Sequence, residues 1–444
     1  MTHVLHRSLH VEPETAVRGE GIMLTLRDGR QVIDAAGGAA VSCLGHGNAR
    51  LVEAIAAQAR KLDYIHTMFV TSEPAEALAD HMLGEVPGGL SHAFFVSSGS
   101  EAMESAIKMA RQYFVELGQP QRVHVIARRQ GYHGNTFAAL AASGHQARRA
   151  IYEDVLPRSF SHVSPCFAYH EQAAGESDAD YVARLAAELE AEFQRIGPDK
   201  VMAFCAETVV GATTGCVSAV AGYFPAMRAV CDRHGALFVL DEVMCGMGRT
   251  GTTHAWEQEG VTPDLQAVAK GLGGGYQPIG ALLVSRRVVE ALSAGSGAFV
   301  HGHTYQAHPV ACAAALEVQR IIGEHDLLAN VRAMGTRLET ALIERFGNHP
   351  HVGDIRGRGL FRGLEFVADR SEKRPFDPAL GFSGRLKAAA LANGIAVYPG
   401  TGTLDGRRGE HVIVAPPYTV TPAQVDTIVD RLGLAVDDAL RAIA

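Results

Sequence analysis

Lysine gives the clearest indication of which residue could act in catalysis, because the chain has few lysines. The sequence has six lysines against 34 arginines. Only Lys270 follows an apolar run and precedes a glycine-rich loop, in Ala267-Val-Ala-Lys-Gly-Leu-Gly-Gly-Gly275. Desolvation lowers the pKa of a lysine in such a place. Lys270 could therefore act as a nucleophile or base, and it could equally clamp a phosphate.

Carboxylates follow two other apolar runs. Asp241 and Glu242 come directly after Ala236–Leu240, and Glu207 comes shortly after Val201–Cys205. An acid at the end of a buried strand is costly unless it is paired. Each of these acids could be a capping or salt-bridged group, or a counter-ion for a bound cation or metal.

The start of a predicted helix is the third feature that could take part in binding or catalysis. Ser97-Ser-Gly-Ser-Glu101 follows the apolar run Phe94–Val96 and leads into a helical pattern. Small residues there leave backbone N–H groups exposed at the positive end of the helix dipole, which suits a phosphate. An ordinary serine N-cap would explain the same residues.

These groups need a framework that brings strand ends together, and the sequence predicts one. Short apolar runs alternate with helical patterns, which is typical of an α/β fold whose large domain has a mostly parallel sheet flanked by helices. Ligands of such sheets gather at the carboxyl ends of the strands. The predicted strands are His92–Val96, Arg122–Ile126, Val201–Cys205, Ala236–Leu240 and Ile279–Val284, with helices over Glu101–Phe114, Tyr181–Arg195 and Tyr223–His234.

The C-terminal part has a different pattern and predicts a smaller α+β domain. We expect an N-terminal segment (1–60) that packs with this small domain, a large domain (61–326) and the small domain itself (327–444). The elements predicted for the last part are helices over Leu327–Phe346, Ser383–Asn393 and Pro422–Ala442, paired strands within Asp354–Phe366, and short strands over Ile395–Tyr398 and His411–Val414.

Composition excludes several classes of function. The 40 basic and 48 acidic residues give a net charge of −8, so we expect no general nucleic-acid-binding surface. No apolar stretch reaches the ~18 residues of a membrane span, and the first residues lack the apolar core of a secretory signal. The seven cysteines are odd in number and form no CxxC, which predicts reduced thiols in a cytoplasmic protein.

Two motifs suggest competing chemistry. Gly246-Met-Gly-Arg-Thr-Gly251 matches the GxGxxG of NAD-dependent dehydrogenases, but it follows acidic residues and leads into no clear helix. We keep a dehydrogenase only as an alternative. His301, His303 and His308 lie close together without an HExxH, in a chain whose 21 histidines make chance clusters common, so we expect no resident metal.

Several short motifs occur in a characteristic order along the chain. They are Ser98-Gly-Ser-Glu-Ala102, Tyr132-His-Gly134, Glu207, Leu240-Asp-Glu-Val243 with Gly248-Arg-Thr-Gly251, Ala269-Lys-Gly271, Gly302-His-Thr-Tyr305 with His308-Pro-Val-Ala311, and Ala415-Pro-Pro417. Together they resemble the class III aminotransferases, which are pyridoxal-phosphate enzymes of fold type I. The resemblance covers residues 15–440.

The resemblance implies pyridoxal 5′-phosphate as cofactor and gives two residues catalytic roles. Lys270 would join the cofactor aldehyde as a Schiff base and, once released by the substrate amine, would move the proton from the substrate Cα. Asp241 would pair with the pyridine nitrogen and keep it protonated. Tyr132 would stack on one face of the ring and Val243 would pack on the other.

Further cofactor contacts are also implied by the resemblance. Gly99 and Ser100 would hold the phosphate, Glu207 would support the polar network, and His133 would lie close to the ring. Thr304 would reach the phosphate of the neighbouring subunit's cofactor. The resemblance therefore implies a homodimer with shared active sites, which could pair further into a tetramer.

Two positions indicate the branch of the family. Members that use 2-oxoglutarate carry a second glutamate five residues after the first and an arginine three residues before Pro-Pro, where this chain has Ala212 and Ile413. The pattern is more similar to ω-amino-acid or amine:pyruvate transaminases. We expect transfer of an amino group from an amine or ω-amino acid to a keto acid, with pyruvate as acceptor. A racemase, epimerase or decarboxylase of the same fold is the alternative, because the pocket selects which bond breaks.

Fewer residues in the sequence can be assigned to the part of the predicted pocket that would contact the substrate. Such enzymes often use a mobile arginine before the Pro-Pro pair, so Arg407 or Arg408 could bind a carboxylate, or both could belong to an exposed basic loop. Tyr64 and Phe69 are candidate pocket walls, with core packing as the alternative. Gly38-Ala-Ala40 lies where amine transaminases often carry a bulky tryptophan, which predicts a roomier pocket.

Overall fold

The computed structural model describes residues 3–84 and 89–443. The chain begins with an antiparallel meander of β1 (Ala16–Glu20), β2 (Met23–Leu26) and β3 (Gln31–Asp34). Three helices follow, namely α1 (Gly37–Ala40), α2 (Ala49–Lys61) and α3 (Glu73–Leu83). Asn48 caps α2 by accepting hydrogen bonds from the backbone N–H groups of Arg50 and Leu51.

A seven-stranded sheet forms the centre of the larger part of the molecule. Its strands are β4 (Leu90–Val96), β5 (His124–Arg128), β6 (Phe160–Val163), β7 (Val201–Glu207), β10 (Leu237–Asp241), β11 (Leu265–Val268) and β12 (Gly280–Ser285), while β8 (Val209–Val210) and β9 (Val217–Ser218) form a separate ribbon. The strand order is β4-β12-β11-β10-β7-β5-β6. β12 runs antiparallel to β11 and β4, and the other neighbouring strands pair in parallel.

Helices cover both faces of this sheet. They include α4 (Gly99–Glu116), α5 (Phe137–Ala142), α8 (Asp178–Ile196), α9 (Tyr223–His234), α10 (Arg286–Ala294) and α11 (Pro309–Glu324), while the short helices α6 (Gln146–Arg149) and α7 (Ala168–Glu171) lie in connecting segments. Phe204 and Phe238 belong to the apolar layer shared with α8 and α9, whereas Cys205 and Val239 belong to the layer shared with α4. This alternation confirms the predicted α/β architecture, in which strands are buried on both faces.

The remaining elements build the smaller part. They are α12 (Leu327–Phe346), β13 (Val352–Arg358), β14 (Phe361–Phe366), α13 (Phe382–Ala392), β15 (Ile395–Ala396), β16 (Tyr398–Thr401), β17 (Glu410–Val414) and α14 (Pro422–Arg441). An antiparallel sheet of order β13-β14-β17-β16 packs with these helices around one apolar cluster. β15 leaves that sheet and pairs in parallel with β3, so the first and last parts of the chain share a sheet.

The predicted strand over Ile395–Tyr398 is wrong as a single element. Ile395 pairs with Ile33 of β3, whereas Tyr398 pairs with Ile413 of β17, so the segment divides between two sheets. The predicted strand over Arg122–Ile126 also lies two residues too early, since β5 runs from His124 to Arg128. The domain limits at residues 60 and 326 stay predictions, and residues 1 and 444 lie outside the described part of the chain.

Within residues 3–84 and 89–443, no helix combines the length and apolar character that a membrane crossing requires.

Candidate active site

The register of three neighbouring strands brings the predicted chemical groups to one edge of the large sheet. Asp241 at the end of β10 is the direct partner of Glu207 at the end of β7. On its other side Asp241 pairs with Ala267 of β11, three residues before Lys270. All three side chains line one cavity of about 450 Å³ at the carboxyl ends of these strands.

Lys270 adopts a backbone conformation that non-glycine residues rarely use. Its φ is +44°, and it begins a short 3-10 turn, Lys270–Leu272. A residue in this region of backbone space stores strain that the surrounding fold must hold, and such positions concentrate at functional sites. Burial lowers the pKa of the Lys270 ammonium to about 8, against the opposing effect of the Asp241 carboxylate. A substantial fraction of Lys270 is therefore a neutral, nucleophilic amine at mildly alkaline pH.

Both oxygens of the Asp241 carboxylate have partners, although its side chain is only 4% exposed. Oδ2 lies 2.9 Å from Nδ1 of His133, and Oδ1 accepts a hydrogen bond of 3.0 Å from the backbone N–H of Val243. Burial alone would lower the pKa of the His133 imidazolium, but the adjacent Cys205 and Asp241 groups raise it well above its usual value. His133 and Val243 therefore hold the Asp241 carboxyl in a fixed position, where it can serve as a counter-ion to a cation in the cavity.

Glu207 fixes the loop that carries the aromatic wall. Its Oε1 accepts a hydrogen bond of 3.0 Å from the backbone N–H of Tyr132, and its Oε2 accepts one of 2.9 Å from that of Gly211. Burial raises the pKa of the Glu207 carboxyl. The tether holds Tyr132 beside Asp241 and Lys270 in the same cavity.

Glu242 also follows an apolar strand, but its carboxyl is used within the protein interior. Its carboxyl accepts hydrogen bonds from Thr208 Oγ1 (2.7 Å) and Gln266 Nε2 (2.9 Å), and from the backbone N–H groups of Ala255 (2.8 Å) and Trp256 (2.7 Å). Burial raises its pKa to about 7. Glu242 is thus a structural acid inside the protein, whereas Asp241, one residue earlier, faces the cavity.

The start of α4 forms another wall. Ser97, Ser98, Gly99 and Ser100 line the cavity, and the Ser98 hydroxyl caps the helix by accepting a hydrogen bond from the backbone N–H of Glu101. A Cβ on Gly99 would lie 2.7 Å from Cγ1 of Val243, so these two cavity-lining residues are in close contact. The helix start presents N–H groups where an anion would be stabilised by the helix dipole.

Tyr132 and Arg148 form a further part of the cavity wall. The Arg148 guanidinium lies 4.5 Å from the centre of the Tyr132 ring. Arg148 was not a predicted site residue. The signal that singled out Lys270 was rarity, and no such signal exists for one arginine among 34.

The residues predicted to contact substrate lie outside this cavity in the single chain. Asp405 accepts hydrogen bonds from the backbone N–H groups of Arg407 (2.9 Å) and Arg408 (2.7 Å) and from Nε of Arg408 (2.7 Å), and both arginines are exposed. Phe69 is 80% exposed, and the Tyr64 hydroxyl donates to the backbone carbonyl of Thr304 at 2.9 Å. Thr304 is likewise exposed.

The structure shows where the GxGxxG segment and the histidine cluster, the two motifs that suggested competing chemistry, lie in the fold. The GxGxxG segment forms a turn that precedes only a 3-10 helix, and Arg249 within it is buried and donates to the backbone carbonyls of Leu360 (3.1 Å) and Pro416 (2.6 Å). This turn joins the large and small parts and lacks the helix start that a dinucleotide needs. Nε2 of His301 lies 3.0 Å from Ser105 Oγ. No group of three or more metal-ligating side chains is found in the described ranges 3–84 and 89–443.

Comparison with known proteins gives consistent results over the length of the chain. The family model for aminotransferase class-III matches residues 6–436. An uncharacterized aminotransferase of Schizosaccharomyces pombe is 49% identical over 441 residues, which are 99% of this chain and 96% of the relative. A diaminobutyrate–2-oxoglutarate transaminase of Halomonas elongata is 36% identical, over 96% of this chain and 90% of the relative. The structure of the ω-transaminase from Pseudomonas jessenii in complex with PMP matches with a TM-score of 0.92 at 33% identity, over 99% of this chain and 96% of that one.

Proposed function

The chain belongs to the class III aminotransferase family, and we propose that it is a pyridoxal-phosphate-dependent transaminase that moves an amino group from an amine or ω-amino acid to pyruvate. The observation that carries this proposal is the meeting of Lys270, Asp241 and Glu207 around one cavity. A buried lysine with a lowered pKa in the same cavity as a fixed carboxyl group is the pair that this chemistry needs.

The cavity fits the proposed cofactor. The helix start at Gly99 and Ser100 would hold its phosphate, and Tyr132 and Val243 would enclose its ring. The ring nitrogen would face Asp241, whose position is fixed by His133. When bound, pyridoxal phosphate supplies the electron sink that makes the substrate Cα–H bond acidic.

The residues of the chain then have separate tasks. Lys270 carries the cofactor and, as a neutral amine, accepts and returns the proton at the substrate Cα. Asp241 would pair with the ring nitrogen of the bound cofactor, because a buried carboxylate stabilises a cation beside it. Glu207 keeps Tyr132 in place through the backbone N–H of that residue.

The proposed acceptor follows from two apolar positions. Ile413 is 1% exposed and lies with Ala212 in an apolar cluster against which Tyr398 packs. The charge pair that resemblance associates with 2-oxoglutarate has no counterpart at these two positions. Ala39 lines the cavity in the segment where a tryptophan is common, which leaves space for the side chain of an amine donor.

We propose that a second copy of the chain completes the site. The Tyr64 and Tyr305 rings meet edge to face at 6.1 Å, and the Tyr64–Thr304 hydrogen bond joins the same two segments. Tyr305 is 60% exposed at this contact, and exposed apolar side chains mark protein interfaces. Sedimentation should give a dimer or a tetramer, and a fully active monomer would contradict this part of the proposal.

We also propose a cytoplasmic location, because all seven cysteines are free thiols, as is usual in that reducing compartment.

The function is tested by incubating the purified protein and pyridoxal phosphate with an amine donor and either pyruvate or 2-oxoglutarate. We expect alanine to form from pyruvate, glutamate to form much more slowly, and both to disappear in K270A. Faster formation of glutamate would contradict the choice of acceptor. Release of carbon dioxide or racemised donor without alanine would indicate a decarboxylase or racemase of the same fold.

A further inference from the structure

We propose that Arg148 binds the carboxylate of the keto-acid acceptor, a role that rests on the proposed function. The cavity that holds Lys270 is also lined by two arginines, Arg148 and Arg7. Arg7 is exposed on the N-terminal segment, whereas Arg148 is half-buried at the end of α6. A carboxylate is best recognised by the paired donors of a guanidinium.

Arg148 lacks an acidic partner of its own. Among the residues that the structure describes, no carboxylate lies within ion-pair distance of its guanidinium. Its neighbour is instead the Tyr132 ring at 4.5 Å. The guanidinium also interacts with the Tyr132 hydroxyl and lowers its pKa against the larger effect of burial. Its other in-plane N–H donors can meet a ligand.

The adjacent arginine provides an internal comparison. The Arg149 guanidinium donates to the backbone carbonyl of Ser143 at 2.9 Å, and its Nη2 lies 3.0 Å from Oε1 of Glu153. Arg149 is buried and its donors are used by the fold. Of these two consecutive arginines, only Arg148 lines the cavity and keeps its charge available to a ligand.

The loop that contains Arg407 and Arg408 supports the segment that carries Arg148. Gly406 lies so close to Gln146 that a Cβ on it would be 2.9 Å from the Gln146 backbone nitrogen. The carbonyl of Gly402 in the same loop accepts a hydrogen bond of 3.0 Å from Gln130 Nε2. This loop therefore braces the first residue of α6, and the Arg408 guanidinium within it donates to Asp405.

The position of Arg148 also suits a substrate held between its guanidinium and the Lys270 side chain. Its charge is among the influences that lower the pKa of Lys270, after the larger effect of burial, so the two groups share one electrostatic environment. A keto acid whose carboxylate meets Arg148 would present its carbonyl toward the Lys270 side of the cavity. An amine donor that has no carboxylate would leave Arg148 on Tyr132.

The test uses the cofactor-loaded enzyme and the variants R148A, R148Q and R148K. We expect the KM for pyruvate to rise about 10- to 100-fold in R148A and R148Q, because a charge-assisted pair of hydrogen bonds is lost, and to rise less in R148K. The half-reaction with 1-phenylethylamine, which has no carboxylate, is followed by the change in cofactor absorbance. Its rate in these variants should differ from the wild-type rate by less than about threefold. R408A is the matched control and should keep the wild-type KM.

A binding measurement separates this inference from the proposed function. Calorimetric titration with propionate, an unreactive carboxylate, should show weaker binding in R148A and R148Q than in wild type, whether or not the protein transaminates. If the wild-type protein binds propionate but forms no alanine, only the proposed transaminase function is overturned. Unchanged propionate affinity and pyruvate KM in all three Arg148 variants would overturn the role of Arg148, as would loss of carboxylate binding in R7A but not in R148A.

Discussion

The two sides of the cavity differ in how far their polar groups are already paired. On the sheet side, both carboxylate oxygens of Asp241 and of Glu207 have hydrogen-bond partners within the protein. On the loop side, Arg148 faces the cavity with an aromatic ring as its neighbour. The comparison teaches that the sheet side is preorganised for one cofactor, whereas the loop side keeps a charge for exchangeable substrates.

The strongest way to break this comparison is to alter the sheet side at Asp241. D241N removes the negative charge but keeps the shape of the side chain, so we expect turnover to fall about 10²- to 10³-fold through lost electrostatic stabilisation. Steady-state kinetics with an amine donor and pyruvate give the value. R408A, far from Asp241, serves as the control, and a D241N enzyme with more than a tenth of wild-type turnover would refute the role of this charge.

A second prediction concerns the pH dependence of cofactor capture by Lys270. Only the neutral amine attacks, so a pKa of about 8 should make the capture rate rise about 50-fold from pH 6 to pH 8 and level off above that pH. Stopped-flow absorbance of apoenzyme mixed with pyridoxal phosphate measures the rate. Free Nα-acetyl-lysine, whose rate continues to rise to about pH 10, is the reference. A protein curve that follows this reference would mean that the cavity does not depress the pKa of Lys270.

A smaller effect is expected where α4 meets the sheet. G99A would place a methyl group 2.7 Å from Cγ1 of Val243, so Val243 must shift at the wall of the cavity. We expect cofactor affinity to fall about tenfold, in line with the cost of overpacking. Fluorescence titration with pyridoxal phosphate measures the affinity. The V243A background removes the clash, so G99A/V243A should bind the cofactor about as well as V243A alone, and a further tenfold loss there would show that Gly99 is needed for another reason.

The smallest effect on activity should come from Glu242, next to Asp241 in sequence. In E242Q an amide NH₂ would face two of the four donors that now meet the carboxyl, so we expect the free energy of unfolding to fall by about 1–3 kcal/mol with nearly unchanged turnover of the folded enzyme. Denaturant titration and kinetics on the same sample give both values. A loss of turnover as large as that of D241N would erase the distinction between the two acids.

The sheet side was predictable from sequence for physical reasons. Lys270 is one of six lysines, and Asp241 and Glu207 each follow a strand that is apolar throughout. Parallel pairing then places strand ends side by side, so local patterns were sufficient to bring these three residues together. The resemblance added Tyr132 and Gly99, which also line the cavity.

The loop side was not predictable in the same way. Arg148 reaches the cavity because Gly406 and Gln130 hold distant segments against α6, and no periodicity within its own segment records such contacts. The division of Ile395–Tyr398 between two sheets has a similar cause, because Ile33 lies hundreds of residues earlier in the chain. Arg407 and Arg408 carried the right chemistry for a carboxylate, but both lie exposed outside the cavity, and the Arg408 guanidinium donates to Asp405.

The most direct test of the central claim, that Lys270 carries the cofactor beside Asp241, is borohydride reduction of the holoenzyme followed by peptide mass spectrometry. The chain has six lysines, so a modified peptide identifies its residue without ambiguity. We predict one pyridoxyl group per chain, on the peptide that contains Lys270. A pyridoxyl group on Lys61, Lys108, Lys200, Lys373 or Lys387, or a cofactor that dialysis removes after reduction, would contradict the account.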